Sequence, residues 1–493
     1  MGVFLFLYFD IWIWTWYNHS KKIVIKQKIK FNFKGDEMEN QLKEKYGLLT
    51  AISMVVGIVI GSGVFFKAEA VLKATGGNMP LGIAAWVIVG LIMIICSYSF
   101  ATLATKYERV NGVVDYAEMT VGSKYGYYVG WFMAIIYNPT ITSVLAWVSA
   151  RYTCVLLGWD ITGGACMTIA CFYLVASYAM NALSPIIAGK FQVGTTVIKL
   201  IPLMLMAVVG TIVGLSNGMT VRNFTNVPVT DTGNGGGLFA SVVAVAFAYE
   251  GWILTTSINA ELKDSKKNLP KALILGSLIV VFVYIFYYIG LAGAVTTETL
   301  MESGQEGAKL AFQNIFGTVG GSLIFVFVII SCLGTLNGLM LACTRGMYAL
   351  AARGRGFMPK TFRQVDSITN MPTNSSTFGL LLCAFWLLYF YGANLTDPWF
   401  GVFCFDTSEL PIVTLYAAYI PIFFMVIKKE KDFSIFKRFI MPFLSILGCV
   451  FMVVAACLAH GKAVIYYLIV FAVIMLIGVR FSNAKNESGD ENL

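Results

Sequence analysis

Three glycines and a serine interrupt an apolar segment near the start of the chain, in the sequence Gly57-Ile58-Val59-Ile60-Gly61-Ser62-Gly63-Val64-Phe65. In the hydrocarbon of a membrane, an unpaired backbone N–H or C=O group costs several kcal/mol, so a helix can break there only where it faces protein or a polar cavity. The free N–H groups of such a break can hold an anion, and its free C=O groups can hold a cation. This combination fits the carboxylate and the ammonium of an amino acid. Close helix packing is the alternative explanation for the glycines.

A second interruption, Phe247-Ala248-Tyr249-Glu250-Gly251-Trp252, places an acid and a glycine in the middle of a later apolar segment. Paired broken helices in corresponding positions of two halves are typical of transporters with an inverted repeat and a central substrate site. The two interrupted segments are predicted to be spans 1 and 6, so each would open one half of a five-plus-five repeat. This prediction depends on the spacing, because the two halves share little sequence identity.

The composition requires a membrane environment. The 493 residues are 58% hydrophobic and 12% charged, whereas a soluble domain has roughly 25% charged residues. A helical span needs about 20 apolar residues, and the chain is predicted to be an all-α membrane protein with twelve transmembrane helices. The predicted spans are 46–66, 80–105, 125–157, 164–183, 193–215, 238–258, 271–295, 319–350, 376–391, 399–427, 439–458 and 462–481.

The charges on the loops predict the orientation in the membrane. Beyond residue 37, about 21 Lys and Arg residues lie on the loops that share a side with Lys43 and Arg353, against about six on the opposite loops, which include Lys67 and Lys462. This excess predicts that both termini are cytoplasmic. The net charge of +9 reflects the same bias, so it gives no reason to expect a nucleic-acid partner.

The sequence shows no pattern for metal, cofactor or catalytic chemistry. The ten cysteines lie almost all within the predicted spans and form no CxxC pair, so free apolar thiols are expected. No Cys/His cluster predicts a metal site, and His19 and His460 lie outside the predicted site. A phosphate loop and a nucleophile elbow are also missing from the sequence. These observations argue against an enzyme.

The first 37 residues differ from the rest of the chain. The aromatic stretch 4–17 lacks the basic start and the small-residue cleavage site of a signal peptide. The codons AAA-GGA-GAT-GAA-ATG would encode residues 34–38 and would contain a ribosome-binding sequence just ahead of a start codon. We therefore expect residues 1–37 to be a non-native leader from a misplaced start at Met1, with Met38 as the natural start. An interfacial anchor built on three tryptophans is the alternative.

Four motifs occur in order along the chain. They are Gly57 to Phe65 in span 1, Phe247 to Trp252 in span 6, Glu261 to Pro270 after span 6, and Gly334 to Gly338 with Thr344-Arg345 in span 8. With these motifs the chain resembles the amino acid–polyamine–organocation (APC) superfamily of transporters. Within it, the chain is similar to the L-type amino acid transporter branch and its bacterial serine/threonine exchangers.

The resemblance covers about residues 45–480 and implies the leucine-transporter-like fold, a 5+5 inverted repeat followed by helices 11 and 12. The implied organisation is a cytoplasmic N-terminus at 38–45, a first repeat with helices 1–5 at 46–236, a second repeat with helices 6–10 at 237–427, helices 11–12 at 428–481, and a cytoplasmic tail at 482–493.

The resemblance also implies how a substrate would bind. Its carboxylate would meet the backbone N–H groups of Ser62 and Gly63, with Gly61 shaping the turn. The positive end of the half-helix that begins there would add about 0.3–1 kcal/mol, and more when buried. Phe247 is expected either to close over the substrate as a gate or to be a core aromatic. The substrate ammonium would meet the backbone carbonyls of Val59, Phe247 and Glu250.

Lys199 is a single lysine within an apolar span. A central charge costs at least about 2.5–3.5 kcal/mol on insertion scales, so Lys199 is expected to face the protein interior. The resemblance implies that its ammonium replaces the ion that sodium-coupled relatives bind between spans 1, 5 and 8. It would then bond a carbonyl near Gly57 and the hydroxyl of Ser331, and Tyr284 in span 7 would act with it. Snorkelling of Lys199 to an interface is the alternative.

Three acidic residues depart from the pattern of the branch. Glu250 stands where animal members have glycine, and it could hold the substrate ammonium, take up a proton, pair with Lys199 or serve as a static polar partner. Asp406 and Glu409 stand where branch members usually have neutral residues. They are three residues apart at the predicted start of span 10, hence on one helical face. The pair could favour a cationic substrate, form a proton site, or lie in the outer vestibule with little effect.

The loop at 158–164, between spans 3 and 4, contains no cysteine. Animal L-type transporters use a cysteine there to bind a heavy subunit. A heavy-subunit disulfide partner is therefore not expected.

Together these observations predict a sodium-independent secondary transporter that exchanges small or neutral L-amino acids by alternating access, without a cofactor. It is expected in the lipid bilayer of a cell membrane, specifically a bacterial inner membrane. A proton-coupled importer of the same fold is the first alternative. The second is a membrane amino-acid sensor, but a sensor would need a cytoplasmic output domain, and the segments 38–45 and 482–493 are too short for one.

Overall fold

The computed structural model describes residues 47–107, 112–225, 236–253, 262–304, 306–366, 369, 371–395 and 397–482. The predicted leader at 1–37, the predicted N-terminal segment 38–45, and all of the predicted tail 482–493 except its first residue lie outside the described residues. The described residues form helices joined by short connections. These helices are α1 Leu48–Val59, α2 Gly63–Ala74, α3 Met79–Lys106, α4 Val113–Thr120, α5 Ser123–Leu157, α6 Gly164–Leu183, α7 Ile187–Ser216, α8 Met219–Thr225, α9 Gly236–Ala248, α10 Ser265–Ala294, α11 Thr297–Ser303, α12 Glu306–Ala351, α13 Pro359–Phe362, α14 Thr373–Ala393, α15 Leu410–Lys429, α16 Phe436–His460 and α17 Lys462–Val479.

The helices confirm the prediction of an all-α membrane protein. Among the described residues, ten helices are long and apolar enough to cross a membrane, and the bent pair α1–α2 makes eleven. The predicted sixth span begins with the short apolar helix α9, and its last residues, 254–258, lie outside the described residues. The predicted count of twelve spans, and the division into two repeats at 236/237, stay predictions.

The first span is longer than the sequence predicted. Helix α2 continues to Ala74, whereas the predicted span ended at 66. The prediction stopped early because α2 carries charged residues that lower its hydropathy. Lys67 was assigned to a loop on the opposite side of the membrane, and this assignment is wrong. It lies within α2 with only 3% of its surface exposed, because it is paired with a buried carboxylate.

Two long helices contain irregular turns. In α5, the residues Met133–Tyr137 form a π-helical turn just before Asn138-Pro139. The proline has no N–H group to donate within the helix, so the hydrogen-bond ladder is already interrupted at this point. In α12, Gly317 has φ of 75° and ψ of 168°, which divides the helix. The part that follows begins close to residue 319, where the sequence predicted the eighth span to start.

The tenth span starts later than predicted. Its helix, α15, begins at Leu410 rather than at 399, and residues 404–409 are not helical. Asp406 and Glu409 therefore do not lie on one helical face, as the sequence analysis predicted. The carboxylate of Asp406 accepts hydrogen bonds from the backbone N–H groups of Ser408 and Glu409, at 2.6 and 3.1 Å, and holds the chain in a turn ahead of the helix.

The two broken segments lie at the centre of the packing. Helix α10 packs against α1 and α3, α9 packs against α2, and α7 lies against both α1 and α12. Buried aromatic rings support this region, since Trp86 on α3 contacts the rings of Tyr249 and Tyr284 edge-on. The fold thus surrounds both breaks with protein, which is the condition for irregular backbone within a membrane.

Candidate functional site

The break in the first span separates two half-helices whose axes differ by 48°. Helix α1 ends at Val59, and Ile60 is extended, with φ of −67° and ψ of 108°. The carbonyl of Ser62 accepts the first hydrogen bond of α2, from the N–H group of Phe66 at 2.9 Å. Within the described residues, the N–H groups of Ser62 and Gly63 donate no backbone hydrogen bond outside the helices. They are the free donors that the start of a helix provides for an anion.

Close contacts explain two of the glycines at this break. A Cβ atom at Gly61 would lie 2.5 Å from Oγ1 of Thr335, and one at Gly63 would lie 2.5 Å from Cα of Ala248. Neither glycine has a positive φ angle. They are therefore needed for close approach of other chain segments, and the contact between Gly63 and Ala248 brings the two breaks together.

Two carbonyl groups at the end of α1 are held by side chains from other helices. The ammonium of Lys199 donates to the carbonyl oxygen of Gly57. The hydroxyl of Tyr284 lies 3.0 Å from the carbonyl oxygen of Val59 and 3.1 Å from that of Ala248. Tyr284 therefore connects the ends of α1 and α9, which both lack a continuing helix.

The second break begins at the end of α9. The N–H group of Glu250 donates to the carbonyl of Phe247 at 3.4 Å, and Gly251 has φ of 104°, a backbone conformation that favours glycine. Of the three carbonyls predicted to meet a substrate ammonium, those of Val59 and Phe247 each already accept one hydrogen bond. A carbonyl oxygen has two lone pairs, so each can still accept a second.

A cavity of about 340 Å³ lies between the two breaks. Eight of the predicted site residues line it, namely Gly57, Val59, Gly61, Ser62, Gly63, Lys199, Phe247 and Glu250. Four predicted site residues, Ser331, Tyr284, Asp406 and Glu409, are not part of its wall. The cavity brings free N–H groups, carbonyls, an ammonium and a carboxylate together in a space suited to one small molecule with charges of both signs.

Lys199 lies between helices that flank the cavity, with 1% of its surface exposed. Helix α7 approaches α1 closely, since a Cβ atom at Gly57 would lie 2.6 Å from Cγ2 of Thr196. It approaches α12 equally closely, since a Cβ atom at Gly334 would lie 2.4 Å from Oγ1 of Thr195. The predicted bond to Ser331 is not present. That hydroxyl is buried and has no hydrogen-bond partner among the described residues.

Glu250 faces aromatic side chains rather than a cation. The hydroxyl of Tyr137 is hydrogen-bonded to its carboxylate, and Tyr416 and Tyr419 lie near enough to interact with it electrostatically. Oε1 is buried without a hydrogen-bond partner in the described part of the chain. No ion pair joins it to Lys199, although both side chains are described. The suggested pairing of Glu250 with Lys199 is therefore wrong. A carboxylate at the cavity wall with a free oxygen is available to a positively charged ligand group or to a proton.

Asp406 and Glu409 lie apart from the cavity. Oε1 of Glu409 accepts a hydrogen bond from Nζ of Lys67 at 2.6 Å, and Oε2 lies 3.0 Å from Nε2 of His460. The sequence analysis placed His460 outside the site and did not connect it with Glu409. Since both carboxylate oxygens have protein partners and neither acid lines the cavity, these residues do not present a negative charge to a ligand there.

The cavity includes residues that the sequence analysis did not select. They are, among others, Tyr137, Gln192, Thr335 and Arg345. Thr335 and Arg345 belong to the span 8 motifs, so their positions in the sequence could have identified them as site residues. Tyr137 follows an apolar run and directly precedes Asn138-Pro139, and that proline marks the irregular turn that carries it into the cavity.

The profile of the amino acid permease family matches residues 46–479, almost all of the described chain. The chain belongs to the amino acid permease family. The match confirms the predicted membership of the APC superfamily, and it shows a transporter rather than an enzyme. As a permease, the protein is a multi-pass membrane transporter of amino acids.

Individual relatives agree with this assignment. The permease is 30% identical to the serine/threonine exchanger SteT of Bacillus subtilis over 420 residues, 84% of this chain and 91% of that protein. It is 27% identical to the human large neutral amino acids transporter small subunit 2 over 330 residues, 64% of this chain and 58% of that protein. It is 24% identical to the human cystine/glutamate transporter over 321 residues, 64% of this chain and 62% of that protein. These relatives confirm the predicted similarity to the L-type branch and to bacterial exchangers.

Proposed function

We propose that this permease exchanges small or neutral L-amino acids across the membrane without sodium. The observation that carries the proposal is the bond between the Lys199 ammonium and the carbonyl of Gly57, at the end of the broken helix. A fixed positive charge at this carbonyl stabilises the broken end of α1 in the way that a bound cation would. The backbone at the cavity can then keep its broken form without a coupling ion.

The cavity wall supports the choice of an α-amino acid. The N–H groups of Ser62 and Gly63 are free for a carboxylate, and the carbonyls of Val59 and Phe247 each keep one lone pair for an ammonium. These groups belong to the main chain, so they recognise the part that all amino acids share. The rest of the wall includes the apolar side chains of Ile141, Leu145, Leu339 and Ala342.

The position of the acidic residues supports a neutral side chain. Asp406 and Glu409 would have favoured a cationic substrate, but they lie outside the cavity and are engaged with protein groups. Among the described residues, the charged side chains that remain at the wall are Glu250, Lys199 and Arg345. They are of both signs, so together they do not select a substrate of one net charge.

Counterflow into proteoliposomes tests the proposal. Vesicles that contain the purified permease are loaded with one unlabelled L-amino acid at a time, and uptake of the same labelled amino acid is measured in sodium buffer and in choline buffer. We expect fast uptake only in loaded vesicles, for serine, threonine or another neutral amino acid, and equal rates in the two buffers. Uptake that requires sodium, or that does not depend on the internal amino acid, would contradict the proposal.

A proton-coupled importer is the second candidate, and the unpartnered oxygen of Glu250 favours it. The same vesicles, loaded with buffer alone and given an inward proton gradient, separate the two functions. An importer would accumulate substrate under this gradient, and Glu250→Gln would abolish the accumulation. An exchanger would not accumulate substrate in the absence of internal amino acid.

We also propose that both termini are cytoplasmic, in a bacterial inner membrane, and that the permease acts without a heavy subunit. The excess of Lys and Arg on one set of loops supports the orientation, and the cysteine-free loop at 158–164 supports the absence of a disulfide-linked subunit. Transport by the purified chain alone tests the second point. Labelling of a single cysteine placed at Arg480, which is exposed at the end of α17, by a reagent that cannot cross the membrane, tests the first.

A further inference from the structure

A buried group of charges connects α2 to the start of α15 and the end of α16. Nζ of Lys67 donates to Oε1 of Glu409 at 2.6 Å and to Oγ of Ser408 at 3.0 Å. The other oxygen of Glu409 lies 3.0 Å from Nε2 of His460. The exposed fraction of the side chain is 4% for Lys67 and 10% for Glu409. The ion pair is therefore shielded from solvent, unlike an ordinary surface pair.

The turn ahead of α15 fixes the position of the Glu409 carboxylate. Oδ1 of Asp406 accepts hydrogen bonds from the N–H and the hydroxyl of Ser408, each at 2.6 Å, and from the N–H of Glu409 at 3.1 Å. This explains the acid at position 406. It shapes the turn, while the acid at 409 holds the lysine.

Lys67 also lies against two aromatic rings, and one of them belongs to the cavity. Its Nζ lies 5.1 Å from the centre of the Phe66 ring and 5.4 Å from the centre of the Phe247 ring, within the range of a cation–π interaction. The two rings meet edge-on at 5.9 Å. Phe247 lines the cavity, whereas Lys67 does not. The lysine therefore lies behind the cavity wall, on the side towards α2.

The cavity also has a wall on the other side of the break in the first span, opposite Lys67. Met54 on α1 and Arg345 near the end of α12 line it, and we call their side of the cavity the terminal side. We call the side of Lys67 and Phe66 the α2 side. On the α2 side, Phe247 and the ion pair stand between the cavity and the ends of α15 and α16.

We propose that Lys67, Glu409 and His460 form a closure cluster that holds the α2 side shut and separates once in each transport cycle. The proposal depends on the exchange function proposed above. An alternating-access transporter must open on both sides in turn, and α2 can move away from α15 only if this pair breaks. Separation of a buried ion pair is costly unless water reaches both charges. The pair is therefore either formed, with the α2 side closed, or separated, with the α2 side open. Lys67 thereby acts as a positioning residue for Phe247 and does not itself bind the substrate.

The proposal predicts opposite changes on the two sides of the membrane. Removal of one charge, in Glu409→Gln or Lys67→Met, weakens the closed state and raises the population that is open on the α2 side. The apparent affinity of a ligand depends on the fraction of molecules in the competent state. We expect the KM for substrate on the α2 side to fall about tenfold and the KM on the terminal side to rise about tenfold.

The experiment measures exchange of labelled L-serine, or of the amino acid that is fastest in the counterflow screen, in intact cells and in inverted membrane vesicles. Lys73→Met is the matched control, because Lys73 forms an ion pair with Glu69 on the same helix but is 51% exposed, and it should change neither KM. If a single variant fails to fold, the double variant Lys67→Met/Glu409→Gln leaves no lone buried charge and should show the same opposite changes.

The outcomes distinguish the two proposals. A wild-type protein that exchanges no amino acid would refute the proposed function. A wild-type protein that exchanges normally, with closure-cluster variants that fold and show unchanged KM values, or KM values that move in the same direction on both sides, would overturn only the closure cluster.

Discussion

A Cβ atom added at Gly63 would lie 2.5 Å from Cα of Ala248. The start of α2 and the end of α9 therefore meet backbone to backbone, and no side chain fits between them. This contact sets the shape of the cavity, because the free N–H groups of the first break and the carbonyls of the second break belong to these segments. It also explains why glycine is required at a position whose φ is not positive.

We expect Gly63→Val to abolish substrate binding while the protein still inserts in the membrane. The new side chain must push against the backbone of α9, which cannot move aside as a flexible side chain can, so the two breaks separate. Isothermal titration of the purified variant with the wild-type substrate is the measurement. Gly194→Ala on α7 is the control, since a Cβ atom there meets no atom within 4 Å, and its affinity should equal that of the wild type. Unchanged affinity in Gly63→Val would show that this turn is only a packing device.

The second prediction concerns Tyr284, whose hydroxyl serves the carbonyls of both Val59 and Ala248. The hydroxyl has a single hydrogen, so Tyr284→Phe removes the one donor that the two carbonyls share. An intramolecular hydrogen bond contributes about 0.5–1.5 kcal/mol, so we expect the exchange rate to fall about two- to tenfold.

Tyr287→Phe is a close control for this change. Tyr287 is also buried on α10, but its hydroxyl has no hydrogen-bond partner among the described residues. Exchange by this variant should remain at the wild-type rate. If the two variants lose the same activity, the loss comes from changes in aromatic packing and not from the bridge between the breaks.

Sequence reasoning located both breaks and the buried lysine because each has a local signature. Glycines and a serine inside an apolar run, or one lysine in the middle of a span, are visible without knowledge of the fold. The positions of Gly57, Gly61 and Gly63 in the sequence thus led directly to the cavity. The reason for these glycines was not visible, because it is contact with Thr196, Thr335 and Ala248 elsewhere in the chain.

The closure cluster could not be predicted in the same way. Lys67 and Glu409 are 342 residues apart, and Glu409 and His460 are 51 apart. A charged residue lowers the hydropathy of a segment and so favours the prediction of a loop. Lys67 was therefore assigned to a loop, and His460 was placed outside the site. A charge that is neutralised by a distant partner can lie inside a span, but only the fold shows which partner is available.

The last prediction concerns Lys199 and the proposed independence from sodium. Lys199→Ala leaves the carbonyl of Gly57 without its donor and removes the charge that lies between α1 and α12. A buried acceptor without a partner costs about 1–3 kcal/mol, so we expect exchange to slow about 10- to 100-fold. Lys199→Arg should restore only part of the rate, because the planar guanidinium differs in shape from the compact ammonium.

Labelled amino-acid exchange in proteoliposomes, with a sodium gradient and with choline in its place, is the measurement for the wild type and for each Lys199 variant. Lys190→Ala is the control, because Lys190 lies on the same helix but is exposed, and its rate should match the wild type. The wild type should show equal rates in both buffers, because we propose that the ammonium takes the position of a coupling cation. Strong stimulation of the wild type by sodium would refute this role for Lys199 and would place the permease among sodium-coupled transporters.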